Sequence, residues 1–465
     1  MDQIVKSPNN PLAYKINTFG CKVNTYDTGL IQKNLNSSGS LILKDDPRVH
    51  VLNTCAVTAE ATKEALKLIR RLKAKDPFCT VIVTGCGAQV DTDHFANLKA
   101  ADLIVANSHK SQLPFIIDQY FKGELKERVF KSNIFKKEDV EAGGGVEETH
   151  TRSFLKIQDG CNSFCTYCII PFARGQSRSI SIFDLVQRVN ELHAKGVNEV
   201  VLTGVHIGDY EDRQGSHQNS PKVLEDLLES LLAKTKMPRF RLSSLEPIEL
   251  TDRLLEIYQD SRMCPHFHMS IQSANTDVLA LMKRKYTKQD VQKSLLNIEK
   301  KVKNAFVGMD VIVGFCNETH EHFEDTYLTL ADLPWTKIHV FPYSERAGTR
   351  AVSYSETVHV HERSLRADRL RELSHQRYEE RAKAQIGDVK EALILKNRKA
   401  MLHNTSTESE VLALSHDYWN LVLPAAENHE DLLRLQPGQL RKIQITNYRL
   451  SDRLKGEGVL EGRWL

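Results

Sequence analysis

Nine cysteines stand at positions 21, 55, 79, 86, 161, 165, 168, 264 and 316 of this 465-residue chain, and six of them fall in patterns that could do chemistry. The tightest is Cys161-Asn-Ser-Phe-Cys165-Thr-Tyr-Cys168, in the run KIQDGCNSFCTYCIIPFARG. Three thiolates this close in sequence can wrap one metal centre, with Gly160 turning the chain into the loop, and they leave one coordination position open. A structural zinc ion wants four closed protein ligands, and no fourth Cys or His lies nearby at the usual spacing. A thioredoxin-like Cys165-x-x-Cys168 would give Cys161 no role. On spacing alone, iron–sulfur, zinc and redox readings all stay open.

The second pattern is spread out. Thr18-Phe19-Gly20-Cys21, Asn53-Thr54-Cys55 and Thr84-Gly85-Cys86-Gly87 each put a cysteine just beyond a predicted strand. In a parallel α/β sheet such loops share one edge, so three cysteines far apart in sequence can meet as ligands. Each alone would pass for a small buried hydrophobe. Cys79, Cys264 and Cys316 show no such placement and read as structural.

The rest of the chain must position these groups. Its length argues for about three domains. With 41% hydrophobic and 26% charged residues, the composition excludes wholesale disorder, collagen-like repeats and a disulfide scaffold. No run approaches the ~18 apolar residues of a membrane span, and the start, MDQIVKSPNN, lacks the apolar region of a secretory signal. A cytoplasmic enzyme with no membrane partner is expected. Nine cysteines, an odd number, then favour ligation or catalysis over disulfides. A net charge of +3 and pI near 8.2 permit a nucleic-acid partner without demanding one.

The pattern predicts an α/β multidomain protein. Strands near Tyr14–Thr18, His50–Asn53, Thr80–Thr84 and Leu103–Ala106, with a helix over Ala61–Lys75 stopped by Asp76-Pro77, make an N-terminal parallel sheet domain over 12–122. The basic face of that helix reads as solvated surface. A polar connector, 123–150, ends in Gly143-Gly144-Gly145. Six βα units follow over 151–383, with strands at Phe154–Gln158, Glu199–Thr203, Phe240–Leu245, His266–Ile271, Met309–Phe315 and Lys337–Phe341. They predict a partial (βα)6 barrel working at the C-terminal ends of its strands. Val389–Lys396, Tyr418–Val422 and Leu440–Thr446 predict a small β-rich domain over 386–450, and 451–465 is left as a tail.

The CxxxCxxC loop after the first strand of a βα barrel resembles the radical S-adenosylmethionine superfamily. With the second cysteine set it resembles the methylthiotransferases, over roughly Leu12 to Arg449 and more weakly after Ile386. NTFGCKVN (Asn17–Asn24), VLNTCAVT (Val51–Thr58), KIQDGCNSFCTYCIIPFARGQSRS (Lys156–Ser179), LSSLEP (Leu242–Pro247) and HVFPYSERAGTRA (His339–Ala351) are most similar to the threonylcarbamoyladenosine tRNA branch. Gly87, Ala274 and Cys316-Asn317 depart from its usual Tyr, Gly and Pro-Gly.

The resemblance implies two 4Fe–4S clusters, one on Cys161, Cys165 and Cys168 and an auxiliary one on Cys21, Cys55 and Cys86. S-adenosylmethionine would serve as methyl donor and as source of a 5′-deoxyadenosyl radical, because replacing an aromatic C–H by C–S–CH3 is beyond side-chain acids and bases. The acceptor implied is C2 of N6-threonylcarbamoyladenosine at position 37 of the tRNA anticodon loop, with sulfur source and electron donor undetermined. Tyr167 would pack near the adenine or serve as loop packing. Thr203, Gly204, Ser243, Glu246, Gln272 and Asp310, at predicted strand ends, could bind the rest of the cofactor. His206 and His339 receive no acid or base role. The C-terminal domain would be a TRAM-like grip on the tRNA backbone. Arg363, Arg366, Arg369 and Arg371 could face phosphate, but Glu362, Asp368 and Glu372 among them favour a solvated ion-paired face. Competing readings are the same chemistry on isopentenyladenosine tRNA or a ribosomal-protein aspartate, and a zinc-stabilised RNA-binding protein without catalysis.

Overall fold

The computed structural model describes residues 13–37, 41–42, 48–138, 140, 151–214, 219–396, 410–424, 436–450 and 457–465. The triple glycine at 143–145 and the start of the resemblance at Leu12 lie outside them.

The N-terminal region is a six-stranded, all-parallel sheet in the order Leu41–Ile42, Ala13–Thr18, Val49–Thr54, Thr80–Gly85, Leu103–Ala106, Val129–Phe130. The four central strands match the sequence reading. The outer two, each two residues long, are too short to carry a periodic signal. Both sheet faces are covered. Val51, Ile82 and Val105 pack with Ile31, Leu35 and Ile116 on one side, while Leu52, Val81, Val83 and Ile104 pack with Ala65, Ile69 and Phe95 on the other. Burial on both faces explains the near-continuous apolar strands. The helix Ala59–Lys75 starts on Thr58, whose hydroxyl accepts from Ala61 N at 3.2 Å, and ends at Asp76 ahead of Pro77. Its residues Lys63, Lys67, Arg70 and Arg71 are exposed, the solvated face expected.

Six parallel strands form the open barrel: Ser153–Lys156, Glu199–Thr203, Arg239–Leu242 continuing as Ser244–Leu245, His266–Gln272, Phe306–Val313 and Lys337–Pro342. They run in chain order, and the third is interrupted at Ser243. The expected Phe154–Gln158 strand ends at Lys156, because Gln158–Asp159 turns away to pair antiparallel with Arg178–Ser179. The fifth starts at Phe306, three residues before the expected Met309. Leu155, Val200, Leu202, Phe240, Met269 and Val311 share one core with the surrounding helices.

The C-terminal region is a closed five-stranded barrel of Val389–Ile394, Glu410–Ser415, Asn420–Pro424, Leu440–Leu450 and Gly458–Trp464. Two expectations are corrected here. The strand Glu410–Ser415 had no predicted counterpart, and the segment 451–465, set apart as a tail, supplies the closing strand Gly458–Trp464. Closure satisfies the edges of a sheet too small to bury much otherwise. This barrel seats against the N-terminal ends of the large barrel's strands: the Tyr418 ring lies 3.8 Å from that of His266, Asn198 donates to Gly438 O at 2.8 Å, and Lys337 pairs with Glu457 at 2.5 Å.

The arginines of helix Val360–Lys383 divide: two lie at the surface in ion pairs, as expected, and two are buried, which corrects the expected solvated face. Arg363 and Arg366 are buried, on Tyr343 O at 2.8 Å and Glu318 at 2.7 Å, while Arg369 pairs with Glu324 and Arg371 with Asp368.

Candidate active site

Gly160, at φ +76, opens the barrel's cysteine loop. A side chain there would start 1.9 Å from the Gln176 carbonyl oxygen, so only glycine fits this crossing. Behind it, Gln158 ties two loops together. Its Oε1 accepts from Val205 N at 3.1 Å and His206 N at 2.9 Å, and its Nε2 donates to Gly160 O at 2.7 Å. The loop is also held from below, Thr166 N donating to Met282 O at 3.1 Å and Ala351 N to Thr166 O at 2.8 Å.

The three thiols have unlike surroundings. Burial would raise Cys161, yet His206 Nδ1 at 3.9 Å and the Ser163 N–H at 3.4 Å bring it below the ordinary thiol range. Cys165 accepts from Arg284 Nη1 at 3.1 Å. Burial pushes Cys168 up to about 12, with Cys165 and Cys161 opposing a further negative charge. His206 sits among three carboxylates, 3.0 Å from Asp209, 3.3 Å from Glu246 and 2.5 Å from Glu249. Against the cost of burial, Asp209, Cys161 and Glu249 raise its pKa far above the ordinary value, which favours the cationic imidazolium.

At the N-terminal sheet, Cys21 follows the strand Ala13–Thr18, Cys55 follows Val49–Thr54, and Cys86 opens the short helix after Thr80–Gly85. Those strands lie side by side, and the first two flank the point where the strand order reverses, the usual ligand crevice of a doubly wound sheet. Gly20, at φ +92, lets Cys55 come close: a side chain on it would begin 2.6 Å from the Cys55 sulfur. Burial pushes the Cys55 thiol up to about 11, and Cys86 and Cys21 add to the rise. Cys86 packs with Ile169 and Ala173, just beyond the barrel's cysteine loop, so the N-terminal site and the barrel share one interface.

Two polar clamps hold that interface. Asp27, on the helix after Cys21, binds Lys110 at 2.9 Å, Lys156 at 2.7 Å and Arg174 at 3.0 Å; Lys156 and Arg174 also bind Asp159, at 3.0 and 2.9 Å. Burial favours a neutral Asp27, but these cations hold its carboxyl well below the usual range. On the far side Arg346 donates to Ala56 O at 2.9 Å and pairs with Asp91 at 2.6 Å.

The expected cofactor residues divide. Glu246 lies beside the cysteine loop, 3.0 Å from Arg284 and 3.3 Å from His206. Thr203 ends the second barrel strand and Gly204 follows it, tight against Gln158. Ser243 sits at the strand break with its hydroxyl buried and without a hydrogen-bond partner. Gln272 ends its strand at φ +60. Asp310 stands apart from these, accepting from His268 Nε2 at 2.9 Å beneath the His268–His339 stack. Tyr167 packs edge-on against Phe315 at 6.3 Å, which gives it at least the packing role. Cys79, Cys264 and Cys316 are buried outside both sets. Arg284, Arg174, Gln158, Asp27 and Asn24 were not singled out from sequence. Arg174, Gln158 and Asn24 lie inside quoted motifs, whereas nothing in MKRKYT marks Arg284 over its lysine neighbours.

The donor set suits an iron–sulfur cluster. Among the described residues, the metal-ligating groups whose atoms all lie within 4.8 Å are Cys161–His206–Asp209 and His206–Glu246–Glu249. Neither three-cysteine set contracts that far, whereas the sulfurs around one tetrahedral zinc ion lie roughly 3.8 Å apart. The thiols of each set raise one another's pKa, so they ionise together only around a cationic centre.

Comparison with known proteins agrees. Residues 155–330 match the Radical SAM superfamily and 13–106 match Uncharacterized protein family UPF0004. The threonylcarbamoyladenosine tRNA methylthiotransferase MtaB of Aquifex aeolicus is 34% identical over 83% of this chain and 94% of its own length, and that of Bacillus subtilis 32% over 92% of each. A tRNA-2-methylthio-N(6)-dimethylallyladenosine synthase of Staphylococcus epidermidis is 30% identical over 80% of this chain and 73% of its own. In fold, the chain resembles the radical S-adenosylmethionine methyltransferase TsrM of Kitasatospora setae, with a TM-score of 0.51 at 14% identity over 71% of this chain and 73% of that one. The zinc-stabilised binding protein is thereby set aside. The chain belongs to the threonylcarbamoyladenosine tRNA methylthiotransferases, radical S-adenosylmethionine enzymes that act on tRNA with two 4Fe–4S clusters.

Proposed function

We propose that this chain methylthiolates C2 of N6-threonylcarbamoyladenosine at position 37 of the anticodon loop, in the cytoplasm. Cys161, Cys165 and Cys168 would hold the radical cluster, and Cys21, Cys55 and Cys86 the auxiliary cluster. The observation that carries this reading is the packing of Cys86 against Ile169 and Ala173, just beyond Cys168, which brings the N-terminal site against the barrel segment that follows its cysteine loop. The bound clusters and S-adenosylmethionine supply the radical and methyl-transfer chemistry.

The protein's own part is positional. Arg284 and the cationic His206 present hydrogen-bond donors to the sulfurs of Cys165 and Cys161. Glu246, shared by Arg284 and His206, and the free hydroxyl of Ser243 are groups on the same face that could bind the cofactor's amino and ribose parts. Thr203, Gly204 and Gln272 would line it, and Asp310 with His268 would face deeper into the barrel. We assign the 12–122 region to the auxiliary site, 151–383 to the radical site and the closed β barrel to RNA contact. Because that barrel seats at the opposite end of the large barrel's strands, it would grip the tRNA body and leave the reacting base to the cleft.

The test is anaerobic reconstitution with iron and sulfide beside Cys161→Ala/Cys165→Ala/Cys168→Ala. About eight irons in the wild type and about four in the variant are expected, with 2-methylthio product on threonylcarbamoyladenosine tRNA from the wild type alone. Product on isopentenyladenosine tRNA instead would move the chain to that acceptor.

A further inference from the structure

The buried charges between the two cysteine sets do not balance. Among the described residues, Lys110, Lys156 and Arg174 pair only with Asp27 and Asp159, all five at most about a tenth exposed. Burying such an excess is costly unless another anion or dipole faces it. Arg174 shows where that partner lies. It closes the short helix Ile170–Arg174 that leaves the barrel's cysteine loop. Its Nη1 binds Asp159, while its Nη2 reaches across the interface to Asn24 Oδ1 at 2.6 Å as well as to Asp27.

Asn24 belongs to the other site. Its Nδ2 donates to Phe19 O at 2.8 Å and Thr54 O at 3.1 Å, the backbone just before Cys21 and Cys55. Its Oδ1, which Arg174 holds, is also 3.8 Å from the Cys86 sulfur. Asn107 closes the circuit, directing its Nδ2 to that sulfur at 3.6 Å and to Ala173 O at 2.9 Å.

We propose that Arg174 is a positioning residue shared by the two sites: through Asn24 it orders the loops that carry Cys21, Cys55 and Cys86, and the surplus positive charge of its cluster stabilises the more negative state of whatever those cysteines bind. The inference rests on the assignment of an iron–sulfur cluster to the N-terminal set. The auxiliary site is thus finished by the barrel, and the two sites are coupled through one guanidinium.

The test uses the full chain with Cys161, Cys165 and Cys168 changed to Ala, so that iron reports the N-terminal site alone. Adding Arg174→Gln should shift the midpoint potential of that cluster to more negative values and alter its spectrum. Arg174→Lys, which keeps the charge, should restore the potential better than the geometry. In the chain with all cysteines, Arg174→Gln should raise S-adenosylmethionine cleaved per methylthio product by about ten-fold or more, the scale expected when a group supporting metal ligands is lost. If Arg174→Gln fails to fold, Asn24→Ala leaves all five charges in place and should produce the spectral change. An unshifted potential in Arg174→Gln, or in a folded Asn24→Ala an unchanged spectrum, overturns the proposal. A triple-cysteine chain that binds no iron instead overturns the assignment beneath it.

Discussion

The two cysteine sites reach similar donor sets by opposite routes. The barrel site is local: three thiols in one loop, opened by Gly160 and pinned by Gln158, Thr166 and Met282. The N-terminal site is assembled by topology, its thiols delivered by three neighbouring parallel strands. The local site carries its own fixed cations, Arg284 and His206, both from the barrel. The assembled site borrows one, Arg174, from the other domain. A loop can be read and can act nearly alone, whereas a site built from strand ends depends on everything that sets the sheet and its neighbour.

The cysteines break this comparison most completely. Cys161→Ala should abolish both 5′-deoxyadenosine and methylthio product, while Cys55→Ala should abolish product and still release 5′-deoxyadenosine. Chromatography of both products from each variant decides it, and loss of 5′-deoxyadenosine in Cys55→Ala would make the two sites one unit. Next in size is Asp27→Asn, which leaves three buried cations facing one carboxylate. A loss of about 3–5 kcal/mol is expected, measured by urea unfolding at pH 7.

The sign with pH follows from the depressed carboxyls of Asp27 and Asp159. Their stabilisation is complete above the unfolded carboxylate pKa of about 3.9 and is lost as pH falls from there toward the folded values, where the unfolded chain binds more protons. Asp27→Asn should therefore flatten the fall in stability below about pH 4. An equally steep fall in the variant would remove this network from the acid response.

Arg284→Gln should be milder, costing about 10- to 100-fold in product and moving the barrel cluster to a more negative potential, with Arg284→Lys intermediate. An unchanged potential would reduce Arg284 to loop packing. The smallest effect belongs to the exposed helix face: Lys67→Ala should alter stability by less than about 0.5 kcal/mol. It should also leave the salt dependence of tRNA binding unchanged, a phosphate contact lowering the slope by about one.

Chemistry was more legible than architecture. The spacing of Cys161, Cys165 and Cys168 points to a metal loop because the three thiols are sequence neighbours. The strand-end pattern of Cys21, Cys55 and Cys86 is readable because continuous β runs precede each cysteine. The short strands Leu41–Ile42 and Val129–Phe130 offer no period to read. The strand Gly458–Trp464 was taken for a tail because its role lies wholly in pairing with residues distant in sequence. Arg363 and Arg366 look in sequence like part of a charged surface, yet both are buried against Tyr343 and Glu318.

What the amino-acid sequence determined by itself was the inventory: six thiols in two sets proposed as ligands, the glycines at their turns, the βα periodicity and the family motifs. These depend on residue type and short spacing, which the chain carries in one dimension. Only the tertiary structure decided which cations serve which thiols, that Cys86 meets Ile169, that the small barrel closes on its last strand, and that Arg174 stands between the two sites. Those are relations between residues up to 150 positions apart, as Asn24 and Arg174 are. They arise because burying a charge or a polar group forces it to find a partner wherever the fold brings one.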